Sequence, residues 1–278
     1  RLSDCVHVVP SGSHIENFDT YFTINGKEQP RCHTQYNSTY IRQRMQEFTG
    51  SDPSDTGSGF QAYVKQDMGG SVTGFYGHWS VPSLPTTSSF DEIMYAFIGL
   101  QNMDWVPPQP EPSDPFDAIQ PALQYGYNSG RGGGPYWGIS SWYMTLTNDV
   151  VQSQLIHVSP SDAIQGILQK TNASTNDTWL INTVDTTSGL STSFTVSRAI
   201  LSKQPWVYVA LEVFSITDCT NQYPPKGSSI PFQGLVLQND FHANETVDWA
   251  VGTNGQSPPV CDAKIQTPYS NSAVTILF

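Results

Sequence analysis

From about Thr56 onward, apolar side chains recur at every second position in short runs separated by turn residues. GFYGHWSVP (74–82), MYAFIGLQN (94–102), AIQPALQYGYN (118–128), YWGISSWYM (136–144), QLIHVSP (154–160), AIQGILQKT (163–171), TWLINTV (178–184), TSFTVSR (192–198), WVYVALEVF (206–214), FQGLVLQN (232–239) and AVTILF (273–278) share this pattern. A period of two puts alternate side chains on opposite faces of an extended strand, and Val, Ile, Tyr, Phe and Trp suit such a surface. Eleven strands with no helical stretch between them predict an all-β fold. It is expected to be an antiparallel β-sandwich, jelly-roll-like, with two packed sheets. No fixed-length repeat is present. VPPQPEPSDP (106–115) and YNSGRGGGP (127–135) read as long loops, the second either a pliant flap or an ordinary hairpin loop.

Upstream the pattern differs. Residues 1–36 are turn-rich, with short apolar pieces such as CVHVVP and YFTI. NSTYIRQRMQEF (37–48) places Ile41, Met45 and Phe48 at spacings of four and three, which predicts a short helix. TGSDPSDTGSGF (49–60) has the composition of a linker or surface loop. The expected organisation is an N-terminal segment, 1–56, followed by a β-sandwich domain, 57–278. Arg1, Lys27, Arg31, Arg42 and Arg44 balance Asp4, Glu16, Asp19, Glu28 and Glu47 within residues 1–50, so the negative balance lies entirely in 51–278. This is either chance or the mark of a pro-segment-like piece lying on an acidic body.

Only 13% of the residues are charged, the formal net charge is −12 and the sequence pI is about 4.6. Phosphate contacts need Lys and Arg, so nucleic acid and anionic membrane surfaces are poor partners. No apolar run approaches the ~20 residues of a membrane-spanning helix. An acid-rich chain poor in bases sheds most of its charge in acid, which suits work at low pH. The four cysteines, Cys5, Cys32, Cys219 and Cys261, form no CxxC pair. Sequons at Asn37, Asn172, Asn176 and Asn244 point to a secreted, extracellular glycoprotein. In that setting two disulfides are expected. Of the three possible pairings, Cys5–Cys32 and Cys219–Cys261 are preferred because each closes a local loop. The chain opens without a signal peptide, as expected of a processed form.

The chemistry is narrowed by what is missing. The six histidines are scattered, with no HxH or HExxH, so no catalytic metal is expected. There is no GxSxG, no Walker A and no GxGxxG, so neither a serine hydrolase nor a nucleotide cofactor is supported. Among the carboxylates most sit in turn contexts such as SDPSD and PEPSDP. Glu212 lies instead in the middle of WVYVALEVF. Val207, Val209, Leu211 and Val213 should face a core, leaving Trp206, Tyr208, Ala210, Glu212 and Phe214 together on the other side, like the floor of a cleft. A carboxyl among aromatics is expected to titrate above its ordinary value, as a general acid/base requires. The alternative is an outward-facing glutamate on a half-wet sheet. In AIQPALQYGYN, Gln124 shares a face with Ala122 and Gly126, and the glycine permits close approach to the backbone. Gln120 precedes Pro121, which predicts an edge strand or a bulge there. Gln124 is thus either a chemically useful amide or one that hydrogen-bonds a neighbouring loop.

The order MYAFIGLQN, ALQYG, YWGISSWYM, SPSDAIQGIL, WVYVALEVF resembles that of the fungal glutamic peptidases, or eqolisins. Their strands carry W-V-G-I-D-G, L-Q-T-G, Y-x-A-W-Y-E-W, a G-D-x-I turn and W-I-V-E. The resemblance covers roughly residues 75–237. It implies a β-sandwich acid endopeptidase with no cofactor, a monomer acting on polypeptide. The catalytic pair would fall on Gln124 and Glu212: Glu212 activates water as general base and then acts as acid, and Gln124 stabilises the oxyanion. Phe97, Trp142 and Tyr208 would shape the substrate cleft, unless they are ordinary core aromatics. Three positions depart from the family pattern: Phe97 replaces a tryptophan, Gln101 an aspartate and Met144 an acid. Two other readings stay open at this point. One is a carbohydrate-binding sandwich without catalysis. The other is a jelly-roll glycoside hydrolase, which needs a second carboxylate beside Glu212, with Glu92 and Asp117 as candidates.

Overall fold

The computed structural model describes residues 6–17, 21–29, 59–70, 72–87, 92–104, 116–128, 132–145, 150–171, 178–197, 204–216, 218–239, 244–252, 260–266 and 269–278. Strands β1 (Val6–Val9), β2 (Ser13–Asn17), β3 (Phe22–Ile24) and β4 (Lys27–Gln29) come from the N-terminal segment. After them come β5 (Gly59–Asp67), β6 (Val72–Ser80), β7 (Ile93–Gln101), β8 (Asp117–Asn128), β9 (Gly132–Thr145), β10 (Val150–Ser153), β11 (Ile156–Val158) and β12 (Ala163–Thr171). The rest are β13 (Thr178–Asp185), β14 (Ser191–Ser197), β15 (Trp206–Phe214), β16 (Ser229–Asn239), β17 (Asn244–Glu245), β18 (Ala250–Gly252), β19 (Lys264–Ile265) and β20 (Ala273–Leu277). All eleven runs that the alternation singled out are strands. β1 to β5, β10 and β17 to β19 were not singled out.

The strands form two sheets. A nine-stranded sheet has the order β1-β10-β9-β8-β7-β15-β5-β18, with β11 also on β9. An eleven-stranded sheet has the order β19-β20-β16-β6-β12-β13-β14-β2-β3-β4, with β17 on β16. Pairing is antiparallel except at β1 with β10 and β2 with β14, which are parallel. The N-terminal strands thus extend both sheets, and Val9, Ile15 and Phe22 bury their side chains in the shared core. The expected helix at 37–48 and the 106–115 loop lie outside the described residues.

The inner faces pack as the alternation requires. Val207, Val209, Leu211 and Val213 of β15 join Ala96, Ile98 and Leu100 of β7 against Phe75, Ile164, Leu168, Ile181 and Phe194 of the second sheet. The sheets are in close contact at Gly166, where a Cβ would lie 2.8 Å from the Pro121 ring of the facing sheet and 2.7 Å from that of Trp79 on the neighbouring strand. The Ser141 hydroxyl bridges the layers, 3.0 Å from the Thr183 hydroxyl and 3.0 Å from the Thr192 carbonyl.

The nine-stranded sheet also has an outer cluster: Phe60, Tyr63, Ile93, Tyr95, Phe97, Ala122, Trp142, Tyr208 and Ala210. Every position of β7 is therefore buried, which explains its near-continuous apolar run.

Two local expectations change. Pro121 marks neither an edge nor a bulge, because β8 lies inside the sheet between β7 and β9. The ladder to β7 lapses at Gln120 and Pro121, while the ladder to β9 runs through Pro121↔Ser141. A proline is tolerated there because its missing N–H faces the lapsed side. The irregularity falls instead at Tyr125/Gly126. Much of YNSGRGGGP is strand: Tyr127 pairs with Gly133 and Asn128 with Gly132, so Gly132 and Gly133 belong to the β8–β9 ladder, and residues 129–131 lie outside the described residues. Gly132 and Gly133 have φ of 72° and 110°, a backbone that glycine adopts without penalty.

Candidate active site

Gln124 and Glu212 lie on the same face of the nine-stranded sheet, in one cross-strand row. Glu212 of β15 is opposite Tyr95 of β7, Tyr95 is opposite Gln124 of β8, and Gln124 is opposite Gly138 of β9. Adjacent strands are about 4.8 Å apart, so the two backbones are separated by roughly 10 Å with Tyr95 between them.

Each of the pair sits at a break in its ladder. Beside Glu212 the register with β5 shifts: Leu211 is opposite Ala62 but Glu212 is opposite Phe60, which makes Gln61 the extra residue of a bulge. Gln61 is buried, and its amide donates to the Gly59 carbonyl at 3.1 Å. Bulges redirect the neighbouring side chain and concentrate near functional sites. Glu212 is half-buried.

Gln124 is 1% exposed. Its amide nitrogen donates to the backbone carbonyls of Gly132 (3.2 Å) and Gly126 (3.4 Å). Two carbonyl acceptors on one side assign that end as the NH2. The amide oxygen is buried and has no hydrogen-bond partner. The nitrogen thus holds the β8–β9 hairpin, as the loop-binding alternative anticipated, and the oxygen is left over. Two glycines make room for this. A Cβ on Gly126 would lie 1.9 Å from the Glu92 carbonyl oxygen. One on Gly133 would lie 2.0 Å from the Gly126 oxygen and 2.8 Å from the Gln124 nitrogen.

The expected cleft aromatics share this face but are packed rather than open. Phe97 (1% exposed) is flanked by Ala122 and Ala210, one row from the pair. Trp142 (3%) donates its indole N–H to the Ser140 hydroxyl at 2.7 Å and meets Tyr95 edge-on, with centroids 5.6 Å apart. Tyr208 (1%) donates to Asp104 at 3.0 Å. Asp104 also takes the Lys65 ammonium at 2.7 Å, and that ammonium sits 5.2 Å over the Trp206 ring. Burial, and secondarily the Asp104 charge, hold the Tyr63 hydroxyl above its ordinary pKa. This ionic group lies roughly 13 Å along β15 from Glu212.

The other sequence candidates fall elsewhere. Gln120 lies opposite Trp142, with its Cγ against Gly99, two rows from Gln124. Gln101 donates to the Met103 carbonyl at 3.3 Å, and Met144 is half-buried opposite Ala118. Asp117 receives the Tyr143 hydroxyl at 2.7 Å, and Tyr143 belongs to the inter-sheet core. Glu92 is fully buried just ahead of β7. Asp117 lies on the opposite face of the sheet from Glu212, so it does not supply the second carboxylate of a glycoside hydrolase. The Cys219–Cys261 disulfide is present, while Cys5 and Cys32 lie outside the described residues. Asn244 is exposed; Asn37, Asn172 and Asn176 lie outside the described residues. Sequence reasoning passed over Tyr95, Lys65 and Asp104. Tyr95 carried a usable signal, since it shares the parity of Phe97 in MYAFIGLQN.

No protein-family profile matches the chain, and no curated protein sequence does. Among solved structures, scytalido-glutamic peptidase bound to a transition-state analogue inhibitor superposes with a TM-score of 0.50 at 15% identity, over 80% of this chain and 98% of that one. SCP-B, a member of the eqolisin family in complex with the tripeptide Ala-Ile-His, gives a TM-score of 0.48 at 15% identity over the same shares. Identity at this level speaks to architecture, and the chain has the two-sheet sandwich fold of scytalido-glutamic peptidase.

Proposed function

We propose that the protein is a glutamic-type acid endopeptidase that hydrolyses polypeptides outside the cell. The observation that carries this reading is the cross-strand row Glu212–Tyr95–Gln124. It brings a half-buried carboxylate and a buried amide to one aromatic-lined face. The sandwich fold it shares with scytalido-glutamic peptidase supports the same reading. So do the low content of basic residues, which suits acid, and the disulfide and exposed Asn244 sequon, which suit secretion.

In the reaction Glu212 takes a proton from a bound water as the water oxygen attacks the scissile carbonyl carbon. The carbonyl oxygen becomes an oxyanion. When the tetrahedral intermediate collapses, the C–N bond breaks and Glu212 passes its proton to the leaving nitrogen. Gln124 serves as a neutral neighbour. An amide keeps its hydrogen-bonding character in acid and adds no like charge beside Glu212. The test is cleavage of a denatured protein at acid pH in the presence of pepstatin. Wild-type protein is expected to cut, and Glu212→Gln, folded by circular dichroism, to be inactive. A Glu212→Gln variant cutting at the wild-type rate refutes the assignment.

A further inference from the structure

We propose that Gln61 is a positioning residue of this site: its amide holds closed the β5 bulge that turns Phe60 to the outer face, directly across from Glu212. This rests on the peptidase reading above. In β5, Ala62 and Val64 point into the inter-sheet core, while Tyr63 lies in the outer cluster. Unbroken alternation would continue with Gln61 outward and Phe60 inward, on the side of Ala62 and Val64. Phe60 lies in the outer cluster instead. The cause is the extra residue. The ladder to β15 pairs Leu211 with Ala62 and then Glu212 with Phe60, so Gln61 is passed over. One inserted residue reverses the parity of what lies beyond it.

Phe60 therefore flanks Glu212 on the β5 side as Tyr95 does on the β7 side. Directly opposite residues of an antiparallel pair have Cβ atoms about 4.5–5.5 Å apart. Phe60 is itself held edge-on against Phe97 (6.1 Å) and Tyr63 (6.0 Å), and Tyr95 against Trp142 and Phe214. A glutamate between two packed aromatic residues has few directions open to its side chain. A general base gains from that restriction, because it must stay within reach of the proton it takes. The bulge is in turn held from within. Bulges interrupt the ladder, and a buried carbonyl that loses its donor is costly. The Gln61 amide donates to the Gly59 carbonyl at 3.1 Å, bridging two residues at the start of β5. Gln61 is fully buried, so solvent does not replace that donor when it is removed. Gly59 has a φ of 99°, which favours glycine and fits the irregular backbone at this point.

The test measures kcat and KM per folded molecule on one chromogenic peptide for wild type, Gln61→Met, Gln61→Glu, Phe60→Ala and Glu212→Gln, with folding checked by circular dichroism. At about pH 3, below the ordinary glutamic pKa of about 4.3, the carboxyl introduced by Gln61→Glu is protonated and still donates. Methionine keeps the length without a donor. Gln61→Met is expected to lose about 10–100-fold in kcat with KM within about twofold, as for a slightly misplaced base, and Gln61→Glu to stay within about threefold of wild type. Phe60→Ala, which leaves the Gln61 bond in place, is expected to lose kcat on the same scale. Adding Gln61→Met to it should then cost little more, because both changes act through one contact. If Gln61→Met does not fold, the Phe60→Ala rate decides. A wild-type kcat in Gln61→Met or Phe60→Ala, or equal losses in Gln61→Met and Gln61→Glu, overturns the role of Gln61; beside an inactive Glu212→Gln it leaves the peptidase reading standing. A fully active Glu212→Gln overturns both.

Discussion

Replacing Gly133 by alanine tests how tightly the β8–β9 hairpin is built around Gln124. Gly132 supplies the internal control. Both have a positive φ, 110° at Gly133 and 72° at Gly132, and a left-handed backbone costs an L-residue about 1–2 kcal/mol. Their surroundings differ more sharply than their backbones. A Cβ on Gly132 meets nothing within 4 Å, whereas one on Gly133 would lie 2.0 Å from the Gly126 oxygen and 2.8 Å from the Gln124 nitrogen. The Gly126 carbonyl belongs to the backbone of a central strand and must retreat by about an ångström to reach the closest contact that real Cβ atoms show. Overpacking of this sort costs about 1–3 kcal/mol on top of the backbone strain. Gly132→Ala should therefore lose about 1–2 kcal/mol in urea unfolding, and Gly133→Ala roughly 2–5 kcal/mol. Because the clash also displaces the Gln124 amide, Gly133→Ala should cut peptide cleavage under conditions where both variants are fully folded, and Gly132→Ala should not. Equal unfolding midpoints and equal cleavage rates for the two variants would refute the packing argument.

The Tyr223 hydroxyl is buried without a hydrogen-bond partner, and burial pushes its pKa far above the ordinary 10.0. The unfolded chain ionises this group near pH 10 while the folded chain keeps the proton, so its contribution is fully present below pH 10 and is lost as pH rises beyond it. Urea unfolding at pH 8 and pH 11 should show a steep alkaline loss in wild type and a shallower one in Tyr223→Phe; identical losses would contradict the assignment. The Cys219–Cys261 disulfide closes a sequence separation of 42. The loop-entropy relation puts its contribution at about 4 kcal/mol. Cys219→Ser/Cys261→Ser should lose stability on that scale in urea unfolding, and a loss under about 1 kcal/mol would show that the denatured chain is already constrained there.

Period-two alternation determined much of this protein. It located eleven strands and made the fold all-β. It also split β15 into a core face, Val207 to Val213, and an aromatic face carrying Glu212. Those are local consequences of pleating and need no partner strand. The same parity put Gln124 beside Ala122 and away from Leu123 and Tyr125. What parity leaves open is which residue lies across from which, because any even shift of register preserves the faces. Only the assembled sheet aligned Glu212, Tyr95 and Gln124 in one row. That row is set by the β15–β7 and β7–β8 registers, while the ladders on either side of it are irregular, at Gln61 against β15 and at Gly126 against β9. Pro121 suggested an edge and lies in a central strand, because the lapse in one ladder was supplied by β7, far away in sequence. The direction of the Gln124 amide, with nitrogen to the hairpin and oxygen left free, likewise depended on two glycine carbonyls placed by the fold. Sequence thus determined the faces and the residue types on them, and tertiary structure decided register, closure and hydrogen-bond direction, since each of these is set by an atom on another strand.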